Sequence, residues 1–139
     1  MSVDKHYVFD TSAFLTLTRD EQGSDTVARL LSLARQKKTV IYVSFVTFAE
    51  IYYTVYRSQG EDAAKETISL INTLPLEKVH SSDVLALSAG RIKANHRLSL
   101  ADAFVAATAL LKESVLVHKD PEFGSLSKDL PMMVLPYKG

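Results

Sequence analysis

Short apolar, β-branched runs alternate along this chain with longer stretches of helical period. Residues 6–10 (HYVFD) read as a buried strand and 11–18 (TSAFLTLT) as a short helix. Residues 24–38 (SDTVARLLSLARQKK) form an amphipathic helical pattern, and 39–44 (TVIYVS) a second strand. Helices follow over 47–60, ended by Gly60, and over 61–74, ended by Pro75. A short strand is expected at 76–80, a helix at 81–96 and a very apolar helix at 99–112. Strands at 114–119 and 132–137 then flank a turn at 120–127. Strands separated by helices imply right-handed βαβ crossovers and a mostly parallel sheet covered on both faces. The expectation is a single three-layer α/β/α domain over residues 1–139 with four or five central strands. In such sheets ligands bind outside the carboxyl ends of the strands.

That rule gives meaning to four acids in apolar surroundings. Asp10 ends the first strand and Asp120 ends the strand SVLVHKD. Glu50 follows TVIYVS inside SFVTFAEIYY, and Asp102 opens a helix inside LSLADAFVAA. A structural reading exists for each. Ser99-x-x-Asp102 and Thr47-x-x-Glu50 match capping boxes, and Asp10 and Asp120 suit N-caps, with Pro121 at the first helical position. Capping treats the acids one at a time and does not say why apolar strand ends carry acids rather than Ser, Thr or Asn. If the four converge, like charges about 4 Å apart repel by about 4 kcal/mol per pair at a surface-like dielectric. Either a pKa rises or a cation binds. With no cysteine in the chain and no paired-histidine motif, oxygen ligands point to Mg²⁺ or Mn²⁺ rather than Zn²⁺. An acidic site holding such an ion suits phosphodiester hydrolysis.

Composition narrows the setting. Sixteen Lys plus Arg balance sixteen Asp plus Glu, so any nucleic-acid contact must be local. The absence of cysteine excludes disulfides and thiolate metal sites. No apolar run is long enough to span a membrane, and MSVDKHYVFD lacks signal-peptide form. A soluble, cytoplasmic protein is expected.

The stretches VFDTSAFL, FAEIYY, LSLADAFVAATAL and VHKDPEF, in this order and over nearly the whole chain, resemble the PIN-domain ribonucleases, and among them the VapC-like toxins of toxin–antitoxin pairs. The resemblance implies Mg²⁺- or Mn²⁺-dependent cleavage of RNA, a small VapB-like antitoxin as partner, and a homodimer. Carried over by position, Asp10, Glu50, Asp102 and Asp120 are the acidic quartet. Asp10, Asp102 and Asp120 hold metal, and Glu50 binds a second ion or positions the attacking water. Thr11 and Ser12 match the supporting stretch after the first acid. Two positions depart from the family pattern: His118 stands where a Thr or Ser is usual, and Glu122 where an Asp is usual. Two readings of His118 stay open, a contact to a ligand acid or the RNA backbone and a ring packed at a strand end.

Arg91, Lys93, His96, Arg97 and Lys119 are candidates to meet RNA phosphates, against the plainer reading of a solvated face. Phe14, Leu17, Tyr52 and Tyr56 are candidates for an antitoxin groove, against core packing. A haloacid-dehalogenase-like phosphatase would need an acid where Ser12 stands, and a receiver domain would need paired acids before its phospho-accepting Asp. A stand-alone RNA-processing nuclease and an inert PIN-like binding module remain as alternatives.

Overall fold

The computed structural model describes residues 5–137; the expectation of no leader rests partly on residues 1–4, which lie outside them. Five strands form one sheet: β1 (Lys5–Phe9), β2 (Thr39–Ser44), β3 (Glu77–Val79), β4 (Val115–His118) and β5 (Met132–Val134). Their order is β3-β2-β1-β4-β5 and every pairing is parallel. The helices are α1 (Thr11–Thr18), α2 (Ser24–Arg35), α3 (Phe45–Gln59), α4 (Glu61–Ile71), α5 (Asp83–Asn95) and α6 (Leu100–Leu111), with a 3₁₀ helix over Pro121–Leu126.

Alternation along the strands divides the core in two. Tyr7, Phe9, Ile41 and Val43 face Phe14, Val27, Leu30, Ile51, Val55 and Ile71 of α1–α4. Val8 and Leu116 face Leu85, Ala89 and Ile92 of α5, the alanine-rich stripe of α6, and Phe123 and Leu126. This is the three-layer α/β/α arrangement. No described helix is long and apolar enough to cross a membrane.

The expected elements recur with shifted ends, for local reasons. α2 stops at Arg35 because Lys37 turns left-handed (φ 62°) and its amide donates to the Ala34 carbonyl. α3 starts at Phe45, two residues early, with Ser44 at its N-cap position directly at the end of β2, its hydroxyl bonding no helix amide. Thr47 therefore lies inside the helix, and the proposed Thr47–Glu50 capping box is replaced by an N-cap at Ser44. β5 ends at Val134, shortly before Pro136, which has no N–H for a ladder.

The chain runs from β1 outward to β2 and β3, then returns to place β4 on the other side of β1. The reversal opens a crevice at the carboxyl ends of β1 and β4, the position favoured for ligands in open parallel sheets. Asp10 and Asp120 leave the sheet there.

Candidate metal centre

Asp10 follows β1 and caps α1. Its Oδ2 accepts from the Ser12 amide at 3.1 Å and from the Ser12 hydroxyl at 2.6 Å. The Ser12 hydroxyl in turn accepts from the Lys119 amide at 2.8 Å. With one lone pair so used, its proton points to Asp10, and the bond stitches the end of β1 to the end of β4. Oδ2 is thus doubly satisfied, while Oδ1 is buried with no partner. A buried carboxylate oxygen left bare is costly unless a cation or donor meets it.

Asp102 arrives by a different route. Ser99 caps α6 and its hydroxyl accepts from the Asp102 amide at 3.1 Å. This is half of the expected capping box, and it brings the Asp102 side chain to the same crevice, 3% exposed. Asp120 opens the 3₁₀ helix, and its Oδ1 accepts from the Glu122 amide at 3.0 Å. One carboxylate oxygen from each of Asp10, Asp102 and Asp120 lies within 4.8 Å of the other two. Capping and convergence therefore coexist in the same side chains.

The electrostatics match. Burial pushes the Asp10 carboxyl up from 3.8 to about 6; the Ser12 bonds pull the other way, and the charges of Glu50 and Asp120 add to the rise. Burial also drives the Asp102 carboxyl far above the carboxylate range, helped by hydrogen bonding with Glu122 and by the charges of Asp10 and Asp120. Burial leaves these acids poor at holding charge alone, and a cation among them would offset that cost. Three carboxylates offering hard oxygen donors, with a bare buried oxygen on Asp10, fit a hard divalent cation.

The other expected residues fall as follows. Glu50 stands outside the group of three; its Oε1 accepts from the Thr11 hydroxyl at 2.6 Å, and its charge is felt at Asp10. Glu122 is exposed on the 3₁₀ turn, its amide bonds Asp120, and its carboxyl adds to the rise at Asp102. His118 is 2% exposed, its Nδ1 accepts from the Asp120 amide at 3.0 Å, and its ring lies 4.8 Å from Phe123. Burial lowers its pKa, against the opposing pull of Asp120. The ring is packed at a strand end and at the same time takes the amide of Asp120, and its burial keeps it from solvent-side contacts.

Two further expectations are corrected. The Lys119 ammonium donates to the Glu21 carboxylate at 3.4 Å and to the Gln22 carbonyl at 2.9 Å. It ties β4 to the α1–α2 loop instead of reaching for phosphate. Phe14 is fully buried, edge-on to Phe9 at 5.5 Å, because α1 lays that face on the sheet; it lines no surface groove. Leu17 and Tyr52 are half-buried and Tyr56 is 45% exposed, with the two Tyr rings 5.8 Å apart. Arg91, Lys93 and Arg97 are exposed. Arg91 and His96 line a depression of about 410 Å³ with Ser88, Ile92, Asn95, Leu110 and Asp129, none of which belongs to the acidic cluster.

Sequence reading missed the amide of Lys119 as the group that anchors Ser12, since amides carry no residue-type signal. It also missed Ser44, whose buried hydroxyl has no partner at the same edge of the sheet.

The family model of the PIN domain matches residues 7–129. A search of curated proteins gives no match. Among solved structures, the chain is similar to one in VapBC2 from Rickettsia felis bound to a DNA fragment from their promoter, with a TM-score of 0.76, 18% identity, and 94% of this chain and 99% of that one covered. DNA-bound VapBC from Salmonella typhimurium gives 0.72 at 15% identity, covering 94% and 98%. Mycobacterium tuberculosis VapC20, a sarcin–ricin loop cleaving toxin, gives 0.68 at 20% identity, covering 86% and 93%.

Proposed function

Because the chain belongs to the PIN-domain family, we propose that it is a Mg²⁺- or Mn²⁺-dependent endoribonuclease in one domain, the toxin of a toxin–antitoxin pair. The observation that carries this reading is the convergence of one carboxylate oxygen each from Asp10, Asp102 and Asp120, with Asp10 Oδ1 buried and unpartnered. When bound, the divalent ion supplies Lewis acidity toward the scissile phosphate and an acidified water. The chain's own part is to hold the ligand oxygens still. Ser12 fixes the Asp10 carboxylate, the Ser99 cap fixes the start of α6, and the Glu122 amide fixes Asp120. Glu50, oriented by Thr11, is suited to accept a proton from the attacking water. Arg91, Lys93 and Arg97, exposed ahead of α6, are the remaining sequence candidates for steering RNA.

The likeness in fold to chains of VapBC complexes supports a small VapB-like antitoxin as partner, with Leu17, Tyr52 and Tyr56 as its surface. A homodimer acting in the cytoplasm is part of the proposal on the family resemblance alone. The VapC20 likeness supports structured RNA as the substrate class. Calorimetry of Mn²⁺ binding, with cleavage of a mixed RNA pool followed in parallel, tests the reading on the wild type and Asp102→Asn. Binding and cleavage in the wild type, both lost in the variant, are expected. A folded wild type that neither binds Mn²⁺ nor cuts RNA overturns it.

A further inference from the structure

The segment that carries Asp120 is secured one amide at a time. The His118 carbonyl accepts from the Leu135 amide at 2.8 Å, and the Lys119 amide goes to Ser12 at 2.8 Å. The Glu122 amide goes to Asp120 Oδ1 at 3.0 Å. The remaining donor, the Asp120 amide itself, has His118 Nδ1 as its acceptor. A side chain that accepts the amide two residues ahead is the geometry Ser, Thr, Asn and Asp use to set turns. An imidazole does the same here, and the family's usual hydroxyl residue is dispensed with.

We infer that His118 is the positioning residue for Asp120: its unprotonated Nδ1 takes the Asp120 amide and so aims the Asp120 carboxylate at Asp10 and Asp102. Burial of the ring and its packing on Phe123 hold Nδ1 in place. Accepting at Nδ1 requires the neutral ring with its proton on Nε2. That Nε2 is itself buried without a partner. The chain thus tolerates an unmet polar atom in order to keep a nitrogen in the turn. A ring held for packing alone would have no such need, since Phe would pack as well without leaving a polar atom unmet. The inference rests on the metal-dependent reading above, because what His118 positions is a metal-ligand acid.

Three substitutions separate the roles. His118→Asn keeps an acceptor at the Nδ1 distance from the backbone, His118→Gln moves it outward to the Nε2 distance, and His118→Phe keeps the packing and removes the acceptor. Mn²⁺ affinity is measured by calorimetry and the fold by thermal unfolding. Loss of a group that orients a ligand typically weakens metal binding by about 10- to 100-fold, and that loss is expected for His118→Gln and His118→Phe, with rescue in His118→Asn. Nitrogen chemical shifts of His118 in the wild type, which need no variant to fold, should show the proton on Nε2. A wild type that binds Mn²⁺ while His118→Phe binds it equally overturns the positioning role alone, as does a proton found on Nδ1. A wild type that binds no Mn²⁺ overturns the metal reading and this inference with it.

Discussion

Replacing Asp10 by Asn should stabilise the metal-free protein at neutral pH and destroy its response to metal. Unfolded, the Asp10 carboxyl ionises near 3.8; folded, near 6. Below about pH 4 it is protonated in both states and burial carries no charge penalty. Between about pH 4 and 6 the unfolded chain gives up the proton first, so folding stability falls as pH rises. Above that window the loss is constant at about 3 kcal/mol, since each tenfold change in ionisation is worth about 1.4 kcal/mol. The group is only 2% exposed, so little of this is screened. In Asp10→Asn the amide oxygen still accepts from Ser12, and a neutral amide nitrogen replaces the unpartnered Oδ1. A rise in Tm on the order of 10 °C is expected at about pH 7.5 in chelator, for a domain of this size. The gain should shrink toward zero at about pH 4. Mn²⁺ at about 100 times its Kd would stabilise the wild type by about 2.7 kcal/mol by mass action and leave the variant unmoved. Thermal scans across pH, with and without Mn²⁺, read all three effects. A variant no more stable than wild type at pH 7.5 in chelator, or one whose gain persists undiminished at pH 4, would refute the account of Asp10 as a charge held against burial.

Ser12→Ala removes the donor to Asp10 and the acceptor of the Lys119 amide, at an expected cost of about 2 kcal/mol; urea unfolding measures it, and an unchanged midpoint contradicts its bridging role. Lys119→Met keeps the aliphatic stem and loses the contacts to Glu21 and Gln22, for about 1 kcal/mol. Its RNA binding should keep the wild-type salt dependence, and a slope lower by about one would put the ammonium on a phosphate. Phe14→Ala should cost about 3–5 kcal/mol as a core cavity, whereas Tyr56→Ala should stay within about 0.5 kcal/mol of wild type in the same unfolding assay.

The layers and the parallel sheet were legible because strand and helix periods hardly overlap in this chain. TVIYVS is too short and too β-branched for a helix, and LSLADAFVAATALLK too long and too alanine-rich for a strand. Element ends were less legible, since Lys37 in a left-handed turn and Ser44 as a cap depend on backbone angles. Asp10 and Asp120 could be placed at the crevice from their strands alone. Asp102 could not, because α6 follows another helix, and only the packing of α6 on the sheet and against α5 carries its first turn to the sheet edge. Phe14 was ambiguous because α1 mixes apolar and hydroxyl residues on both of its faces, so the face toward the sheet and the face toward solvent read alike. The partners of Lys119 lie nearly a hundred residues away, beyond the reach of any local pattern.

The bond between Ser12 and the Lys119 amide spans 107 positions of sequence, and that distance has a consequence for the order of events during synthesis. Helical turns and the β1–β2 pairing need only the chain already made. The acidic cluster cannot exist until residue 120 has left the ribosome and β4 has docked beside β1. Loops this long close slowly compared with local helices. Until then Asp10 and Asp102 belong to a half-sheet with β1 as its open edge, and a nascent chain carries two of the three acids with nothing to complete them.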